Sequence, residues 1–117
     1  MNKEIKEQIL EYSRGLVLGA LFLEFQRYFG SIYENPNVKE KFFSFLVELI
    51  SDGELKLASG GKFLEGTPEE QADVLKNAWP TEYDPEVAEK DIDSLWWIIK
   101  APAGAVWIYP DGYEEWT

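Results

Sequence analysis

The chain has 117 residues, 45% hydrophobic and 28% charged, a globular mix long enough for one domain with its own core. Cysteine and histidine are both absent, which excludes disulfides, thiol nucleophiles, Ser-His-Asp arrangements and thiolate or imidazole zinc sites. The net charge of −11 is lopsided: residues 1–62 carry eight basic and nine acidic side chains, residues 63–117 three and thirteen, a balance that repels nucleic acid and anionic membranes and attracts a basic protein.

Along the chain, Ile5, Ile9, Tyr12, Leu16, Ala20 and Leu23 recur at spacings of three and four. This predicts one long helix from about Lys3 to Tyr28, stopped by Gly30. Its most apolar run, Gly15 to Leu23, would span about 14 Å as a helix, half of a bilayer core of about 30 Å. Glu4, Glu7 and Glu11 stand where a signal peptide needs positive charge. We therefore expect a buried helix in a soluble, cytoplasmic protein, enclosed by the rest of the fold or by the second copy of a homodimer.

A second helix is expected to start at Pro36, after Asn35, and run to about Ile50, burying Val38, Phe42, Phe45, Leu46 and Leu49. "ELKLAS" alternates and predicts a short strand with Leu55 and Leu57 on one face. The following "SGGK" is not a phosphate loop. Lys56 stands where the Walker pattern needs its first Gly, and Phe63 where it needs Ser or Thr. The next helix is the most clearly marked. Thr67 is the N-cap, Pro68 the first helical residue and Glu70 the capping-box partner, with Val74, Leu75 and Ala78 inward and Pro80 as the stop.

At the C-terminus "LWWII" and "AVWIY" are rich in aromatic and β-branched residues. We read them as strands joined by "APAG", followed by a "PDG" turn and an edge strand "YEEWT". The expected fold is α+β: two or three helices packed on a small antiparallel sheet with a C-terminal β-meander. It forms a single domain with a helical half, 1–51, and a mixed half, 52–117. In this pairing Trp96 faces Tyr109 and Ile98 faces Trp107, so one side of the ribbon is aromatic and the other aliphatic around Trp97. Those rings read mostly as core, with one edge available to a partner.

Six acids crowd between Glu82 and Asp93: Glu82, Asp84, Glu86, Glu89, Asp91 and Asp93, against Lys90 alone. Asp91 and Asp93 have the spacing of a metal pair, but the stretch lacks the regular oxygen ligands and central Gly of a calcium loop. A solvated face is the simpler reading, and no metal or cofactor is expected. A glycosidase pair depends on separation in space, and we expect no enzyme here. As a cluster these six acids, with Trp96 beside them, are the candidate surface for a basic partner.

The stretches "KFLEGTPEEQ" and "LWWIIKAPAGAVWIYPDG", within residues 52–117, resemble a family of small acidic bacterial proteins of unknown function. Its members tend to be encoded near filamentous-haemagglutinin-like genes and toxin modules of contact-dependent growth inhibition. The resemblance implies an immunity protein, a cytoplasmic antidote that binds and inhibits one toxin, many such toxins being basic nucleases. It supplies no catalytic motif. The alternative is a small acidic dimeric secretion chaperone.

Overall fold

The first helix, α1 (Lys3–Ser13), starts where the Asn2 side chain accepts the N–H groups of Glu4 and Ile5, the usual work of an N-cap. In the computed structural model, which describes residues 1–117, α2 (Leu18–Phe29) follows after a break and α3 (Val38–Ser51) after a second. The chain continues through β1 (Leu55–Ser59), β2 (Lys62–Phe63), α4 (Pro68–Ala78), a 3-10 turn at Ala88–Lys90, α5 (Leu95–Ile99), β3 (Gly104–Ile108) and β4 (Glu114–Trp116). The fold is α+β, as expected, with five α-helices and one antiparallel sheet in the order β2-β1-β3-β4.

The single long helix expected from Lys3 to Tyr28 is two. Gly15 takes a φ of 85°, a left-handed value that costs glycine little. The Trp107 indole donates to the Leu16 carbonyl at 2.8 Å, occupying an acceptor that a continuous helix would use itself. Chain reversal then brings the Tyr28 hydroxyl to Gln8 at 3.1 Å. Gly30 does end α2, at a φ of 99°. The helix expected from Pro36 begins at Val38, with Asn37 in the N-cap position. Its predicted inward residues are all buried.

The capping box of α4 forms as read, with Glu70 N–H to the Thr67 hydroxyl at 3.1 Å and Thr67 N–H to the Glu70 carboxylate at 3.0 Å. Its buried face is different. Ala72 and Leu75 point inward with Trp79 just beyond, while Val74 and Ala78 are exposed.

The largest correction concerns "LWWII", which is helix α5 and not a strand. Successive strand residues point to opposite faces, whereas a helix turns only about 100° per residue and puts neighbours on one side. Trp96 and Trp97 both enter the core, with ring centroids 4.9 Å apart. The hairpin that would have joined "LWWII" to "AVWIY" therefore does not exist. Instead β3 pairs with β1, placing Leu55 opposite Trp107 and Leu57 opposite Ala105, all four buried. The "PDG" hairpin to β4 holds, with Trp107 opposite Glu115.

One core of 23 buried residues draws on every α-helix and on β1 and β3. Phe22, Phe42, Trp79, Trp96 and Trp97 meet in mostly edge-on pairs 4.9–6.2 Å apart. Burying each such side chain contributes about 1.5–3 kcal/mol, against about 0–1 kcal/mol for an exposed ion pair. The aromatic centre, and not the six ion pairs, therefore fixes where α5 and the acidic segment before it sit.

Candidate functional site

The candidate surface is built on residues 80–99, between α4 and the end of α5. Trp79 anchors its start: the indole packs in the core and donates to the Tyr83 hydroxyl at 2.7 Å. Asp84 then makes a turn, its side chain accepting Glu86 N–H at 2.9 Å and its N–H reaching the Lys90 carbonyl at 3.0 Å. Asp91 closes the segment. Its carbonyl accepts the N–H groups of Ser94 and Trp96, and its carboxylate accepts Leu95 N–H at 3.3 Å. These bonds give α5 its start.

The six predicted acids are thus divided by role. Asp91 is buried as a helix start, and Asp93 is half-buried, accepting from Gln26 of α2 at 2.9 Å. Gln26 also accepts Ile32 N–H at 2.8 Å, so one amide clamps α2, the following loop and the base of α5 together. Glu82 is exposed and pairs with Lys90 at 3.0 Å, and this bond holds the Lys90 ammonium above its ordinary range. Glu86 and Glu89 are exposed and form no ion pair. They are the two acids most available to a partner.

Trp96 requires a correction. Its ring is 1% exposed, packed edge-on against Trp79 at 5.2 Å, so it is not an open platform. It does line one wall of an open cleft of about 410 Å³, where Glu82, Glu89, Lys90 and Lys100 also converge. Trp107, on β3, and Tyr109, just beyond its end, are the other rings of the expected aromatic side. Trp107 is buried, and Tyr109 is half-buried with its hydroxyl on Glu115 at 2.5 Å.

The strand reading hid the outer face of α5. With both indoles inward, Leu95, Ile98 and Ile99 point outward at 41%, 74% and 52% exposure, on one helical face by their i, i+3, i+4 spacing. On the neighbouring α2, Gly19 touches Trp97, and Leu23, one turn on, is also exposed. Val87 adds another exposed aliphatic side chain between Glu86 and Glu89. Only the Asp91 and Ser94 start signals before "LWWII" could have suggested a helix, and they are weak.

No three carboxylates stand close enough to hold a metal ion together. Beside the segment, Tyr33 is the titratable group whose surroundings matter. Burial first, then the negative charges of Asp93, Asp91 and Asp84, push its phenol above the ordinary tyrosine value. This marks a negative field around the base of α5. Chemically, the exposed aliphatic side chains of α5, in a segment where the carboxylates of Glu86 and Glu89 are free and Lys100 follows the helix, could serve a protein surface with an apolar centre. No helix is long and apolar enough to cross a membrane.

The whole chain is similar to a solved structure described as an uncharacterized protein conserved in bacteria, from Neisseria meningitidis. The identity is 30%, over 97% of this chain and 88% of that one, with a TM-score of 0.77. No curated protein matches it. A family model matches residues 50–117, the part of the chain that holds the sheet, α4, the acidic segment and α5. Matched over more than half its length, the chain belongs to the family described as protein of unknown function, DUF596.

Proposed function

We propose that this chain is a protein-binding antidote of the immunity type, which neutralises a basic toxin, a nuclease by preference, in the cytoplasm. The observation that carries this reading is the outward aliphatic face of α5, with the unpaired Glu86 and Glu89 earlier in the segment that leads into it. Protein interfaces put an apolar centre inside a polar rim, and the sign of the rim selects the partner. A rim of free carboxylates on a chain of net charge −11 accelerates encounter with a basic surface and opposes phosphate. The resemblance to proteins encoded beside contact-dependent inhibition toxins points the same way. Trp96 contributes from within, by holding α5 at its angle.

Association kinetics against salt test this reading. Reversing charge at Glu86 and Glu89 should slow association, with the difference shrinking as ionic strength rises. Ile98→Asp should mainly speed dissociation. An association rate that ignores both salt and charge reversal would remove this surface from the account.

The secretion-chaperone reading draws on a specific feature as well. Leu16 and Val17, just before α2, and Leu23 within it are exposed, on the helix that meets α5 where Gly19 contacts Trp97. Sedimentation velocity separates the two: a dimer that persists on dilution favours the chaperone, a monomer the antidote.

A further inference from the structure

We draw no further inference here: the strongest candidate, the outer face of the sheet, where Phe63 of β2 stacks on Trp116 of β4 at 5.1 Å, is a half-open apolar patch, and nothing in the structure shows what covers it.

Discussion

Gly19 and Trp97 touch so closely that a Cβ on Gly19 would lie 3.0 Å from the indole. This contact sets α5 against α2 and turns Ile98 outward. Trp97 has no room to yield, because its indole donates to the Ile92 carbonyl at 2.6 Å and its ring is flanked by Phe22, Phe42 and Trp79. Alanine normally gains about 1 kcal/mol over glycine inside a helix. Here overpacking of about 1–3 kcal/mol should exceed that gain. Gly19→Ala is therefore expected to lower the melting temperature by a few degrees, and a rise would show that α5 can shift.

The capping box on α4 makes a second prediction. Thr67→Ala should cost about 1 kcal/mol in denaturant unfolding. The N–H and side-chain bonds from Thr67 hold the Glu70 carboxyl below its ordinary value of 4.5. A carboxyl that ionises more readily in the folded state stabilises fully above that ordinary value and loses its contribution as pH falls through the lower folded one. Glu70→Gln should thus lower stability at neutral pH and remove part of the fall below about pH 4.5, its difference from wild type shrinking as pH drops through the lower folded value.

Ser13 ends α1 with its hydroxyl fully buried and without a partner. An unsatisfied buried polar group costs about 1–3 kcal/mol. Ser13→Ala keeps the volume nearly constant and should stabilise the fold by about 1 kcal/mol. A loss of stability in thermal unfolding would mean that the hydroxyl has a partner.

Trp96 and Ile98, two residues apart, should behave in opposite ways. Trp96→Ala empties the aromatic core and should cost about 3–5 kcal/mol. Ile98→Asp changes a side chain 74% exposed, and stability should move by no more than about 0.5 kcal/mol. Equal destabilisation would show that α5 is not oriented as described.

Local chemistry made part of this fold legible in the sequence. The Thr67 cap, the Gly30 stop, the inward leucines of β1 and the hairpin at Asp111-Gly112 are each decided within a few residues. What escaped the sequence was decided at long range. Leu16 looks like the middle of a helix until Trp107 takes its carbonyl, 91 residues away. "LWWII" has strand composition, yet one core must accept both indoles and β1 already fills the place beside β3. The candidate site suffered most from this. Asp91 and Asp93 read as surface charge, but one starts a helix and the other holds Gln26. The apolar centre of the face could not be seen until α5 was known to be a helix.

The central claim, that α5 and its acidic edge bind a basic toxin, is tested most directly by retention from a lysate of the source organism. Three baits are compared at low and high salt: wild type, Ile98→Asp, and Glu86→Lys with Glu89→Lys. The account predicts one basic protein held by wild type at low salt, weakened at high salt and lost from both variants, whose toxicity on expression is relieved by co-expressing the wild-type chain alone. A basic protein held equally by all three baits, or an acidic or unfolded client in its place, would contradict it.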